Sequence, residues 1–354
     1  MNDWLIKSKD QFQEHIYDFL WQEWSILGIA GVAKSKDIRI IDPEALLLFS
    51  LSVCRYEPRL FDEILDWLFQ NGHFINVQRL NQIQKKYDFN CGPQLSAIAE
   101  LLAQKSSYRL KWSGLAKKYY QKDKEPLFFS KEGNTLPCPM DKDANPEFLS
   151  HGLKRGQINL RGYSQAFDLQ SPACLLLRLR ALLGINARAE ILCLLASVKE
   201  IHPSEAARTT GYYQKTIQTT LVEMAQSGVI LTRTSKKEKF YRLNPGVLDV
   251  LLKPQGQSPR WINWPALLRV VEILWKRLCE LSMQEIDSLL LSSELKKLMS
   301  SVYKYCSDAA INEIMIDENL PIEKFDKNFR EALSLLSGRL LFEITNTVEV
   351  FAEK

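Results

Sequence analysis

The strongest constraint on the fold comes from residues 171–253, where short apolar patterns alternate with turn signals. The stretches ACLLLRLRALLG and INARAEILCLLASV both space their apolar residues as amphipathic helices do. Pro203 then opens a short helix, PSEAARTT, whose small alanines allow another helix to cross closely. Gly211 follows, where a tight turn often needs a left-handed backbone. This order predicts compact helices joined by a short turn.

The helix predicted over residues 213–227 has one apolar and one polar face. Its apolar residues are spaced to form one buried stripe, made of Ile217, Leu221, Met224 and Ala225. The opposite face carries side-chain types that bind base edges and phosphates from a helix in the major groove. These candidate DNA ligands are Tyr213, Gln214, Lys215, Thr216, Gln218 and Thr219. Gly228 is expected to end the helix.

A β-hairpin is predicted directly after this helix. Residues 229–231 form its first strand, residues 234–238 a polar turn, and residues 239–243 the return strand. The hairpin carries five basic side chains, Arg233, Lys236, Lys237, Lys239 and Arg242. A basic hairpin beside a polar helix face can run along phosphates or enter the minor groove. The first four of these side chains are therefore further candidate DNA ligands.

The positive charge of the chain is concentrated in the same region. Residues 171–253 contain 12 Lys/Arg and 6 Asp/Glu, a net charge of +6, whereas residues 260–354 contain 12 and 15, a net charge of −3. The whole chain of 354 residues carries only +4. A surface that neutralises DNA phosphates requires such a local excess of cations.

The stretch from ILCLLASV to EKFYRL resembles the winged-helix domain of MarR- and ArsR-type bacterial transcription regulators. The resemblance rests on PSEAARTTGYYQKTIQTTL, the SGVI exit and the basic hairpin, and covers about 70 of the 354 residues. It implies a winged helix-turn-helix that binds double-stranded DNA and regulates transcription. Such proteins usually bind palindromic sites as homodimers, because two recognition helices then meet two half-sites. The flanking regions do not resemble the dimerisation helices of a small MarR protein, which leaves the dimer mode open.

The fold class predicted for the whole chain is mainly α, with the winged helix-turn-helix flanked by N- and C-terminal helical regions. Residues 1–120 are predicted to form a helical N-terminal domain, and residues 260–354 a C-terminal helical domain. Residues 121–170, rich in Pro and Gly, are predicted to be a linker or an irregular surface segment. The DNA-binding domain is assigned to residues 171–253.

The N-terminal region contains local signals of both helix and strand. Asp42-Pro43 and Pro58 are typical helix starts, and YRLKW at 108–112 predicts a short strand. Two interpretations of the region remain open. It is either a degenerate second winged helix, with the strand-like HFIN after its helices, or a helical bundle packed against the DNA-binding domain.

Two groups of charged residues outside residues 171–253 receive predictions of their own. Lys154, Arg155 and Arg161 form either a basic arm that reaches DNA or part of a solvated linker. Asp62, Glu63 and Asp66 lie on the polar side of an amphipathic helix and are expected to be solvated.

The sequence offers no pattern that predicts catalysis, a metal or a cofactor. The four histidines are scattered without metal-ligand spacing, and no Gly-rich phosphate loop or GxSxG motif occurs. The seven cysteines form no CxxC pair and are expected to be reduced, buried thiols. The N-terminus lacks the pattern of a signal peptide, and no apolar stretch reaches the ~20 residues of a membrane span, so the expected location is the cytoplasm.

One alternative function remains open beside DNA binding. The protein would then be a non-catalytic assembly protein of a defence, plasmid or toxin-antitoxin complex. Its winged helix would dock onto protein, and its helical flanks would bind a protein partner.

Overall fold

A computed structural model describes residues 3–30, 37–253, 256–317 and 319–341, and over these ranges the chain is mainly helical. The helices are α1 (Asp3–Ile26), α2 (Pro43–Val53), α3 (Pro58–Asn71), α4 (Val77–Tyr87), α5 (Gly92–Ala103), α6 (Arg109–Ala116), α7 (Pro146–Ser150), α8 (Leu175–Leu183), α9 (Ala187–Leu195), α10 (Pro203–Thr210), α11 (Gln214–Gln226), α12 (Asp249–Leu252), α13 (Trp264–Ser282), α14 (Ser288–Asp308) and α15 (Ile322–Leu340). The strands are β1 (Glu125–Pro126), β2 (Leu153–Lys154), β3 (Ile230–Ser235) and β4 (Glu238–Leu243). The prediction of a mainly α chain is confirmed.

The chain divides into two compact units. One contains the described residues of 1–21 and 266–354, and the other contains those of 22–265. Residues 31–36 and 342–354 lie outside the described residues, so the predicted helical domains 1–120 and 260–354 are seen only in part. None of the helices in the described ranges is both long and apolar enough to cross a bilayer.

The unit that includes the C-terminal helices has its own apolar core. Helix α14 buries Leu295 and Met299, and helix α15 buries Phe325 and Phe329. Asp287 caps α14 by accepting a hydrogen bond from the backbone N–H of Leu290. This unit therefore has the packing of a helical domain, as its apolar periodicity predicts.

In the other unit, helix α2 is almost wholly apolar and packs against helices α4 and α5. Every residue of α2 is buried, as expected for a helix that is hydrophobic all round. Asp42 caps α2 by accepting from the N–H of Ala45, and Pro58 opens α3, which confirms both predicted starts. The described part of residues 37–170 holds no antiparallel strand pair like β3 and β4.

Two strand predictions in this region are wrong. YRLKW does not form a strand, because it leads into helix α6, where Trp112, Leu115 and Ala116 are buried at helical spacing. The segment HFIN is not a strand either, because Gly72–Phe74 is a turn of 3-10 helix between α3 and α4. In α6 the burial of a helical face overrides the β-propensity of single aromatic residues.

The predicted polar face of α3 is only partly solvated. Asp66 is buried and accepts hydrogen bonds from the backbone N–H groups of Gly162 (2.7 Å) and Ser164 (3.0 Å). Glu63 is also buried, whereas Asp62 is partly exposed and pairs with Arg155 at 2.8 Å. The prediction of three solvated carboxylates is therefore wrong for two of them. The backbone of a distant segment supplies the donors that a buried carboxylate requires.

Residues 121–170 are irregular but attached to this unit. The two-residue strands β1 and β2 pair in parallel, and Arg155 is buried with its guanidinium on Asp62. Lys154 forms an ion pair with Asp141 at 2.8 Å. The hypothesis of a free basic arm is therefore wrong for Arg155, whose charge is already compensated within the chain.

The elements of residues 171–253 follow the predicted order. Helices α8 to α11 lead into strands β3 and β4, which pair antiparallel from Ile230 opposite Leu243 to Ser235 opposite Glu238. The apolar residues of α9 and α11 and the ends of both strands form one core with α8. Gly211, between α10 and α11, has a φ of +80°, as its position in the turn predicts.

Candidate nucleic-acid interface

The polar face of α11 is open to solvent over its whole predicted extent. The side chains of Tyr213, Gln214, Lys215, Thr216, Gln218 and Thr219 are all exposed. Ile217, Leu221 and Met224 are buried on the other side, together with Thr220, which the predicted apolar stripe omitted. The candidate residues of this helix thus share one accessible face.

The start of α11 presents uncapped backbone groups beside that face. Tyr213 occupies the N-cap position, and no side chain among the described residues accepts a hydrogen bond from the first turn. Free N–H groups at a helix N-terminus attract anions, because they combine donors with the positive end of the helix dipole. Lys215 in the first turn adds a full positive charge.

The hairpin turn is tighter than predicted. Strand β3 continues to Ser235 and strand β4 begins at Glu238, so only Lys236 and Lys237 form the turn instead of residues 234–238. Lys236 has a φ of +55°, a left-handed conformation that L-residues other than Asn and Asp rarely adopt. Both lysines and Lys239 are exposed at the tip of the hairpin.

Arg233 differs from these lysines, because it already has a carboxylate partner. Its Nε donates to Glu200 Oε2 at 2.8 Å, and its guanidinium lies 5.1 Å from the centre of the Phe240 ring. The hydrogen bond from Arg233 lowers the pKa of Glu200, and the same bond raises the pKa of Arg233. By contrast, none of Lys215, Lys236, Lys237 and Lys239 forms an ion pair with a described carboxylate.

Behind the interface, Arg79 connects the turn 210–212 to the N-terminal helices. Its Nη1 donates to Asp42 Oδ1 and Glu44 Oε2, both at 2.7 Å, and its Nε donates to the carbonyl oxygen of Thr210 at 3.3 Å. Asn76 Nδ2 donates to the hydroxyl of Tyr212 at 3.1 Å. The residue that precedes Tyr213 is therefore held by a side chain of the N-terminal helical region.

Arg180 extends these contacts into α8 and α9. It donates to Glu44 Oε1 at 2.6 Å and to the carbonyl oxygen of Phe74 at 2.8 Å, and it pairs with Glu190 at 2.5 Å. Five charged side chains thus form one buried cluster, the buried charge network, which consists of Asp42, Glu44, Arg79, Arg180 and Glu190. Burial opposes their ionisation, but the mutual attraction prevails and keeps the pKa of Asp42 lowered and those of both arginines raised.

Sequence reasoning missed this network. Its directly hydrogen-bonded members stand up to 136 positions apart, as Arg180 and Glu44 do, and each alone looks like an ordinary surface charge. A local signal is that Glu44, Arg180 and Glu190 stand within largely apolar helices, which is unusual for residues that are solvated.

The histidines, cysteines and acidic residues in the described ranges form no candidate metal site. In the described ranges, no group of three or more His, Cys, Asp or Glu residues is placed to hold a metal ion. All seven cysteines are free, and five of them are buried, but Cys138 is exposed, contrary to the prediction of buried thiols.

No protein-family model, curated protein or solved structure matches the chain.

Proposed function

We propose that residues 171–253 form a winged helix-turn-helix that binds double-stranded DNA, and that the protein regulates transcription. One observation carries the proposal: the exposed face of α11 and the hairpin tip hold four lysines without a carboxylate partner. Elsewhere in residues 171–253, arginines such as Arg180 and Arg188 are paired with glutamates. Unpaired cations on adjoining elements suit a partner rich in phosphates.

In this proposal α11 is the recognition helix and enters the major groove. Gln214 and Gln218 read base edges, because an amide group can form two hydrogen bonds with adenine. Lys215, Thr216 and Thr219 contact phosphates beside the groove, with Tyr213 at the helix start. The uncapped N–H groups of α11 donate hydrogen bonds to a further phosphate oxygen.

The hairpin is the wing and binds the backbone of the adjacent DNA. Lys236, Lys237 and Lys239 project from its tip and contribute charge without reading sequence. Arg233 reaches phosphate only when its contact with Glu200 is exchanged for one with DNA. Two copies on a palindromic site remain a prediction of the resemblance.

The test measures the affinity for a short fluorescent duplex, taken from the gene's own upstream region, over a series of salt concentrations. Lys236→Ala combined with Lys237→Ala should weaken binding to every duplex and reduce the log–log salt slope by about 2, because each phosphate contact contributes roughly 0.9. Lys85→Ala with Lys86→Ala, two exposed lysines of α4, is the control of equal charge. An unchanged slope in the first variant would contradict the role of the wing.

Base reading by α11 requires a separate measurement. Gln218→Ala should change which sequences are selected from a random duplex pool, with little loss of affinity for non-specific DNA. Gln226→Ala, an exposed residue of the last turn, should select the same sequences as the wild type. An equal loss on all duplexes would argue against base contact. If the wild type binds no DNA but co-purifies with another protein, the assembly function is the better explanation.

A further inference from the structure

A solvent-connected cavity of about 640 Å³ lies between the start of α4 and helix α6. Its apolar lining includes the buried side chains of Ile75 and Leu115, and also Leu110, which is 95% exposed. Lys111 and Lys118 contribute the charges, and no acidic residue lines it. The volume falls within the range of small-molecule sites, which combine apolar walls with a few polar groups.

The two lysines give the cavity a positive charge that the described residues do not neutralise. Lys111 Nζ donates to the carbonyl oxygens of His73 (2.8 Å) and Gly72 (3.2 Å), and Lys118 Nζ donates to the side-chain oxygen of Asn81. Neither ammonium forms an ion pair with a described carboxylate. Burial lowers the pKa of Lys111 to about 8, although the charge of nearby Glu44 acts in the opposite direction.

Gly114 is a second feature of the cavity, since packing within the chain does not explain a glycine at this position. It lies within helix α6, where glycine is less favourable than alanine. A Cβ atom built on it would meet no other atom within 4 Å, so packing within the chain does not require glycine there. Gly114 also lines the cavity, so we expect a long side chain at this position to occupy part of it.

We propose that this cavity binds a small organic anion with an apolar body, and that the bound anion regulates DNA binding. The second half of the proposal rests on the function proposed above. The apolar walls cover the body of the ligand, and Lys111 and Lys118 neutralise its charged group.

Helix α4 connects the cavity to the turn before the recognition helix. Its residues Val77, Gln78 and Asn81 face the cavity. Its cap residue Asn76 also lines the cavity and donates to the hydroxyl of Tyr212 at 3.1 Å. Arg79, on another side of the helix, donates to the carbonyl oxygen of Thr210. A ligand that displaces the start of α4 therefore acts on the residues that position Tyr213.

Ligand binding is tested on the full chain without DNA, with anilinonaphthalene sulfonate as the fluorescent anionic probe. The wild type should bind the probe saturably, and Gly114→Met should weaken binding by about tenfold, because its side chain fills the cavity. Lys118→Gln should weaken it by about fivefold, whereas Lys85→Gln on α4 should have no effect. The uncharged phenylnaphthylamine should lose affinity in Gly114→Met but not in Lys118→Gln.

Two results would overturn the site: no saturable binding by the wild type, or equal affinity in the wild type and both cavity variants. Lys118→Gln changes only an exposed side chain, so it remains informative if Gly114→Met folds poorly.

The regulatory half is tested by measuring DNA affinity with and without saturating probe. A change of about threefold or more, matched by an equal effect of DNA on probe affinity, would support it, because coupling between two sites is reciprocal. Probe binding that leaves DNA affinity unchanged would contradict the regulatory half of the proposal, but not the anion site itself. If no duplex is bound under any condition, the proposed function fails. The probe measurements still test whether the cavity binds an organic anion.

Discussion

Two groups of cationic side chains in residues 22–265 have opposite surroundings. Arg79 and Arg180 are buried, and their donors are taken by three carboxylates and by backbone carbonyl groups. Lys236, Lys237 and Lys239 are exposed and pair with no described carboxylate. The residue types fit this difference, since the rigid guanidinium fork suits fixed, multiple hydrogen bonds, whereas a flexible ammonium suits contact with a separate partner.

The comparison indicates that the two groups have different tasks. Removing a buried arginine leaves acids without a partner in a place that excludes water, so its effect should appear in folding. Removing an exposed lysine leaves nothing unpaired, so its effect should appear only in binding.

The largest effect is expected from Arg180→Met. It leaves Glu44 and Glu190 buried without this partner, and the free energy of unfolding in urea should fall by about 3–5 kcal/mol. Arg188→Met is the matched control, because Arg188 pairs with Glu223 at 2.5 Å in a half-exposed position. Its cost should stay below about 1 kcal/mol. Equal losses of stability in the two variants would show that the buried arginine contributes no more to folding than the exposed one.

The buried network should also give a distinct response to acid. Burial raises the pKa of Asp42, but the attraction of Arg79 outweighs it and the pKa is lowered in the folded state. Asp42 therefore stabilises the fold above its unfolded pKa of about 3.9, and this contribution is lost as the pH falls through the lower, folded-state value.

Thermal unfolding of the wild type and of Asp42→Asn, measured from neutral pH into acid, tests this expectation. Asn still caps helix α2, so the variant changes the charge rather than the cap. The variant should be less stable at neutral pH, and the two curves should converge in acid. Parallel curves would show that Asp42 does not carry the acid sensitivity.

A smaller effect separates stability from binding at the hairpin tip. Lys236→Gly relieves a left-handed backbone and should stabilise the fold by up to about 1 kcal/mol. Lys237→Gly, at the neighbouring position without a positive φ, should not stabilise it. Both variants should weaken DNA binding to a similar extent, because each removes one charge. Unchanged binding by Lys236→Gly would mean that Lys236 does not contact DNA.

The smallest effect is expected from Glu200→Gln. It frees the exposed guanidinium of Arg233, and DNA affinity should rise by about two- to fivefold with little change in unfolding. Glu205→Gln, on the exposed side of α10, controls for the added net charge. A loss of affinity in Glu200→Gln alone would mean that Glu200 holds Arg233 in its DNA-binding position.

The parts of the fold that were predicted correctly depend on neighbours in sequence. Asp42 and Pro43 define a helix start by themselves, and Gly211 marks a turn through its own backbone. The candidate interface is local in the same sense, because its residues share one helix face and one hairpin. Its exposure was predictable from the spacing of apolar residues on the opposite face.

The errors about charged side chains concern groups whose environment is set by distant residues. Asp66 was expected in solvent, but a backbone segment about 100 positions later surrounds it. Arg155 was expected to be a free cation, but it forms an ion pair with Asp62. The partners of Arg180 and Arg233 were missed for the same reason. Periodicity states which face of a helix is buried, but not which charge lies against it.

The position of Glu44 limits which parts of the chain can be transferred to another protein. It lies near the start of the chain, yet it accepts hydrogen bonds from Arg180 within the proposed DNA-binding segment. A gene fusion that transferred only residues 171–253 to another protein would bring Arg180 without Glu44. A portable piece therefore has to include Glu44 together with residues 171–253. The compact unit of residues 22–265 contains both, although the elements proposed to touch DNA occupy only a small part of it.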